Sequence, residues 1–209
     1  MRSEDMEEPF NADSLRPKID DLTAGSRLAF LLSCAERLFP NYMAFTTHHA
    51  WGKPDALQEA LDLGWKSLEG QTVTKVEIAN AMSRCEAATP DMDAFGSELA
   101  SAALDAAVGC ALVLELLIGD DSSKVLEGAS QTIDTVDMYV QELEQLVPQD
   151  PLRERKILRH PLMQDELKRQ REDLDVLSQV DWSQQHVVAD LARRWRRPAI
   201  SNIGLARTE

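Results

Sequence analysis

SELASAALDAAVGCALVLELLI, residues 97–118, decides how the rest of the chain is read. Ala and Leu dominate it, Pro is absent, and one acid, Asp105, interrupts the apolar middle. Leu99, Ala103, Ala106, Cys110, Val113 and Leu117 share one side at helical spacing. Most other sides are apolar too, which places such a helix in the centre of a bundle or in a bilayer. Its length nearly suffices for a bilayer. Glu98, Asp105 and Glu115 are expensive in lipid, however, and neither an Arg/Lys-rich flank nor an aromatic belt follows. The expectation is a soluble core helix.

Helical patterning continues on both sides. A short first helix starts at Ser14, and residues 27–39 form a longer one in which only Ser33, Glu36 and Arg37 make a polar arc. Pro40 disfavours helical geometry at Phe39 and predicts a turn or restart there. A helix entered at Pro54 carries Leu57, Leu61, Gly64, Trp65 and Leu68 on one face. Thr74 and Glu77 have the spacing of a capping box. Beyond the break at Gly119–Ser122, which supplies an N-cap, a stripe runs from Val125 to Val147, ended by Pro148 and Pro151. Residues 152–180 hold a group broken or restarted at Pro161, with Met163, Leu167, Gln170, Leu174 and Leu177 in register. Residues 183–196 close the helical pattern. Strand-like alternation and internal repeats are absent from the sequence. The expected fold is all-α, a single-domain bundle of seven or eight helices around residues 97–118. Residues 1–13 read as a flexible acidic leader and 14–198 as the helical domain. Residues 199–209 read as a tail partly docked through Ile200, Ile203 and Leu205.

The chain has 209 residues and a net charge of −14. A body this acidic repels nucleic acid and anionic lipid alike, so neither is an expected partner. Cys34, Cys85 and Cys110 are an odd, widely spaced set without a C-x-x-C pair, which suits buried reduced thiols in a cytosolic protein. The start, MRSEDMEEPFNADS, lacks the apolar core of a signal peptide and is acidic where a transit peptide is basic. The expected location is the cytoplasm.

Asp105 is the most pointed candidate, because a carboxylate among Ala, Leu and Val must find partners or stay protonated. Arg37, Ser130 and Thr135 are its candidate donors. Paired, it would titrate below the usual range; unpaired, above it. A second cluster, Glu36, Arg37, Asn41 and Tyr42, lies where the chain is expected to turn. His48-His49 do not chelate together, because adjacent helical side chains point about 100° apart. Arg193, Arg194, Arg196 and Arg197 flank Trp195 and are expected to cover the acidic bundle with their stems over the indole. No metal site, phosphate loop or nucleophile motif is present, so no metal or cofactor is implied.

Two stretches together resemble a known family. CAERLFPNYMAF (Cys34–Phe45) and the terminal Ser201, Asn202, Ile203 and Gly204 resemble the YjaG-like bacterial family, domain of unknown function 416. LDLGW (Leu61–Trp65), ALDAAV of the central helix and the Ser130…Thr135-Val136 spacing fall in the same order between them. The resemblance runs from about Leu15 to Gly204 and implies an all-helical cytoplasmic bacterial protein with no assigned activity. The Arg193–Arg197 cluster and the acidic leader depart from it. Two function classes follow. One is a non-enzymatic interaction or regulatory module, binding a protein partner or a second copy. The other is an enzyme or small-ligand binder with a pocket near Asp105 and Glu36/Arg37. The missing chemical motifs favour the first.

Overall fold

The computed structural model describes residues 12–207, and among them are nine α-helices and one 3-10 turn, Ala12–Leu15. The core is built on α2 (Ala24–His49) and α5 (Glu98–Ile118), which make the most extensive helix pair in the molecule. Ser97 caps α5 through its side chain, and Thr23 caps α2 in the same way. Every residue of α2 from Leu28 to Tyr42 is buried, so this helix shares the centre with α5. Residues Leu99–Ile118 are long and apolar enough to cross a membrane, but 61% of that window is buried against other helices, as in a core helix.

Around this pair, α3 (Pro54–Leu68) packs on both α2 and α5, and α4 (Lys75–Glu86) packs on α3 and α5. Gly64 permits the first contact. A Cβ there would stand 2.8 Å from a Leu32 methyl and 2.9 Å from one of Val113. The Thr74–Glu77 capping box forms as the spacing predicts. On the other side, α6 (Ser122–Leu143) packs on α5 and α2, with Asp121 as N-cap. The short α1 (Arg16–Asp20) lies on α6. α7 (Arg153–Arg159) and α8 (Pro161–Leu177) follow, separated at Pro161 as expected, and α9 (Val187–Trp195) returns to α2. The described residues contain no strand, only an isolated antiparallel bridge between Ile200 and Ala206.

Several boundaries differ from the expectation: α9 begins at Val187, four residues after the expected start at 183, and two other differences have a clear physical cause. Pro40 lies inside α2 instead of ending it. Proline removes the hydrogen bond to the Glu36 carbonyl, yet burial of the surrounding four turns holds the helix together. One residue further on, the Arg37 carbonyl accepts a hydrogen bond from the Asn202 N–H of the tail, at 3.2 Å. The second difference is at α6, which stops at Leu143, four residues short of Val147. Gln145 adopts a left-handed φ of 51°. Leu146 N–H then bonds to the Gln141 carbonyl at 2.8 Å and Gln145 N–H to the Glu142 carbonyl at 3.1 Å. That pair of bonds is a Schellman termination, carried here by glutamine where glycine is usual.

Candidate functional site

The two stretches that carry the family resemblance meet in space. Arg37 and Asn41 lie one turn apart on the same face of α2, and Glu36 points about 100° away from Arg37. The Asn41 amide donates to Asn202 Oδ1 at 2.9 Å, and the Asn202 amide donates to the Thr132 carbonyl of α6, also at 2.9 Å. With its own N–H on the Arg37 carbonyl, Asn202 therefore links α2 and α6 to the tail. Ser201 shapes the turn around it: its hydroxyl accepts from Ile203 N–H at 3.2 Å and Leu205 N–H at 3.0 Å. Gly204 supplies the φ of 83° that the turn requires. Ser201, Asn202 and Ile203 are all buried.

Arg37 is the charged centre of this region. Its guanidinium reaches Asp173 Oδ2 at 2.7 Å and Glu166 Oε1 at 3.1 Å, both on α8. The Trp195 indole N–H donates to the other Asp173 oxygen at 2.8 Å, and Gln170 donates to Glu166 at 3.1 Å and to the Thr132 hydroxyl at 2.6 Å. Burial by itself would lower the Arg37 pKa, but the carboxylates of Glu166 and Asp173 raise it above the ordinary value. Cys34 lies 3.6 Å from the same guanidinium, yet burial pushes its thiol up to about 12. The thiol is therefore protonated and no nucleophile.

Glu36 faces the other way. Its two oxygens accept from the Trp65 indole at 2.9 Å and from the Arg197 N–H at 2.8 Å. Burial raises its pKa, against the lowering by these two donors and by Arg207 and Arg196. Tyr42 donates to the Ala88 carbonyl at 2.6 Å and accepts from Lys53 N–H at 3.0 Å, fastening the α2–α3 and α4–α5 connections.

Asp105 forms a separate site between α5 and α6. It accepts from the Thr135 hydroxyl at 2.7 Å and from the Gln131 amide. Burial still raises its pKa to about 6, with Asp134 adding to the rise and the two donors opposing it. Arg37 and Ser130, both candidate donors, do not reach it. Arg37 is held by α8, and the Ser130 hydroxyl donates to the Leu126 carbonyl in its own helix at 3.0 Å. Asp105 therefore combines the two expected cases, a partnered carboxylate whose pKa nonetheless rises, because neutral donors do not offset its desolvation.

Glu166 and Asp173 were not singled out in the sequence. The signal was available: they sit at i and i+7 on the α8 face marked by Met163, Gln170 and Leu177, so two acids occupied core positions. His49 bonds Ser97 at 2.9 Å and packs against the rings of Phe45, tilted, and Phe95, edge-on. Among the described residues no three His, Cys, Asp or Glu side chains are grouped to hold a metal ion. Trp195 is buried, and the arginines around it pair with acids: Arg196 with Asp62 at 2.8 Å, and Arg193 with Asp190.

The family described as "Protein of unknown function (DUF416)" matches residues 14–206. The uncharacterised protein YjaG of Escherichia coli is 25% identical over 189 residues, 90% of this chain and 94% of that one. An uncharacterised protein of Haemophilus influenzae is 25% identical, over 91% of this chain and 96% of its own. The crystal structure of a DUF416 family protein from Shewanella baltica superposes with a TM-score of 0.83 at 23% identity, covering 91% of this chain and 97% of that one. It has the same fold. A match that spans both the Glu36–Tyr42 segment and the Ser201–Gly204 turn, which the fold brings into contact, shows that this chain belongs to the DUF416 family.

Proposed function

We propose that this protein is a cytoplasmic, non-enzymatic interaction module, and that its family motifs maintain the fold instead of performing chemistry. One observation carries the reading: the polar residues that invite a catalytic role are buried and engaged by other groups of the fold. Glu36, Arg37 and Asp105 are 0%, 6% and 7% exposed, and each is engaged by side chains or backbone of the fold. A general base or ligand must reach its substrate within hydrogen-bonding distance, and these groups are covered. The alternative, an enzyme or small-ligand binder at these residues, requires the tail or α6 to leave first. None of the three clefts described on the surface is lined by Asp105, Glu36 or Arg37. Meanwhile Leu143, Val147 and Leu152, large apolar residues close in sequence, are each more than half exposed. Exposed apolar clusters on a folded surface mark contacts with other macromolecules.

The test is capture of partners by the full chain from native lysate after mild cross-linking. One or a few proteins retained at near-equimolar amounts is the expected result. A chain that retains nothing above a control bundle, yet turns over a member of a small-molecule panel, overturns the reading.

A further inference from the structure

We infer that the cleft between the end of α6 and α7 docks an acidic amphipathic segment of a partner protein. This rests on the interaction-module reading and names its site and the chemistry of its occupant. The cleft holds about 620 Å³ and is open to solvent. Leu146 and Leu152 give it an apolar lining, and Arg155, Lys156 and Arg159 line it with cations. Glu144 is its one acidic lining residue, set 3.9 Å from His160.

Charge selects the occupant. α7, RERKILR, carries four cations against one acid, a local +3 on a chain whose net charge is −14. At physiological ionic strength the screening length is about 8 Å. A ligand in the cleft therefore meets the cations of α7 directly, offset in part by Glu144 in the lining and by Asp150 on Lys156. Lys156 is held by Asp150 at 2.7 Å, while Arg155 is exposed and makes no ion pair with the described residues. Leucine next to unpaired cation is the complement of a helix with one apolar face bordered by glutamates, the groove-and-helix mode of recognition. A nucleic acid would satisfy the cations but set phosphates against Leu146 and Leu152. A basic segment would satisfy the leucines and meet repulsion from α7.

The Schellman turn explains why the leucines are on offer. By ending α6 at Leu143 it throws Leu146 into the cleft lining and leaves Leu143 and Val147 outside the core.

The experiment is fluorescence anisotropy with the full chain and three probes. These are a short labelled peptide of glutamates with leucines on one helical face, the same peptide with lysines for glutamates, and a single-stranded oligonucleotide. The expected result is binding of the glutamate peptide at least about tenfold tighter than either other probe, weakening as salt rises. It should weaken at least about tenfold in Arg155→Glu/Lys156→Glu and stay unchanged in Lys18→Glu/Arg84→Glu, with circular dichroism and melting confirming that both variants fold. Should Arg155→Glu/Lys156→Glu not fold, Arg155→Glu alone, at an exposed residue, is read in its place. Equal binding by the cleft variant, no binding of the glutamate peptide, or preference for the lysine peptide or the oligonucleotide would each overturn the inference. Concentration-dependent dimers that vanish in the cleft variant would make a second copy the occupant and overturn it too. If lysate partners are still captured equally by the cleft variant, the cleft is wrong while the interaction-module reading stands.

Discussion

Asp173 and Asp105 are both buried aspartates, 3% and 7% exposed, but their neighbours differ in kind. Asp173 receives a guanidinium, an indole N–H and, at 3.1 Å, the Ser33 hydroxyl. Asp105 receives a hydroxyl and an amide, with no ion pair among the described residues. Around Asp173 the charges hold one another, as the raised pKa of Arg37 shows. Around Asp105 two good hydrogen bonds leave desolvation unbalanced, and the acid rises to about 6. The lesson is that a hydroxyl and an amide moderate the desolvation of a buried carboxylate without cancelling it. The rise at Asp105 is accounted for by its desolvation and by Asp134.

Removing the cation should have the largest effect. Arg37→Met leaves buried Glu166 without its cation and Asp173 with only the more exposed Arg194, 3.7 Å away, and urea denaturation should show a loss of about 3–5 kcal/mol. The triple change Arg37→Met/Glu166→Gln/Asp173→Asn should recover much of it, because the stranded charges go as well. A triple variant no better than the single one would mean that packing, and not charge, dominates this region.

Asn202→Ala comes next. It strands the buried Asn41 amide and removes the tail's bond to the Thr132 carbonyl, and one stranded group costs about 1–3 kcal/mol. The melting temperature should fall by several degrees, at roughly 2–4 °C per kcal/mol for a chain this long.

Asp105→Asn should go the other way. Between about pH 6 and the ordinary aspartate value of 3.8, the folded chain holds a proton that the unfolded chain has released. Stability from this group is therefore fully present below the unfolded pKa and lost as pH rises through about 6. The neutral amide escapes that loss, so the variant should gain about 1–3 kcal/mol at pH 7.5, with the gain disappearing near pH 4. A variant less stable than the parent at neutral pH would put the hydrogen bonds ahead of desolvation. Smallest of all, Leu143→Ser and Leu152→Ser should stay within about 0.5 kcal/mol of the parent, as exposed substitutions do.

The all-α class, the Thr74–Glu77 cap and the core faces of the long helices were legible because they depend on local spacing, whereas the expected seven or eight helices fall short of the nine among the described residues. Thr74–Glu77 and Leu57–Leu61–Trp65 needed nothing beyond the sequence. Pro40 misled, since a local rule about proline was overridden by burial on every side of α2. The end of α6 was hidden because Gln145 takes a conformation that glycine usually announces. The candidate site was legible by composition only in part. Glu36, Arg37, Asn41 and Asn202 stood out, but the partners of Arg37, Glu166 and Asp173, lie some 130 residues away in sequence, and only the packing of α8 on α2 brings them together. Asp105 could be seen as buried. That Thr135 would serve it and Ser130 would not depends on one turn of α6.

The central claim is that the Glu36–Tyr42 segment and the terminal turn form one sealed, structural unit. Native-state hydrogen exchange at the Asn202 and Arg197 amides tests it most directly, because these N–H groups bond to the Arg37 carbonyl and the Glu36 carboxylate. The account predicts that both exchange only with opening free energies near that of global unfolding, as core amides do. Exchange at the rate of an unstructured peptide, with α2 still protected, would show a tail that opens freely over Glu36 and Arg37 and would contradict the claim.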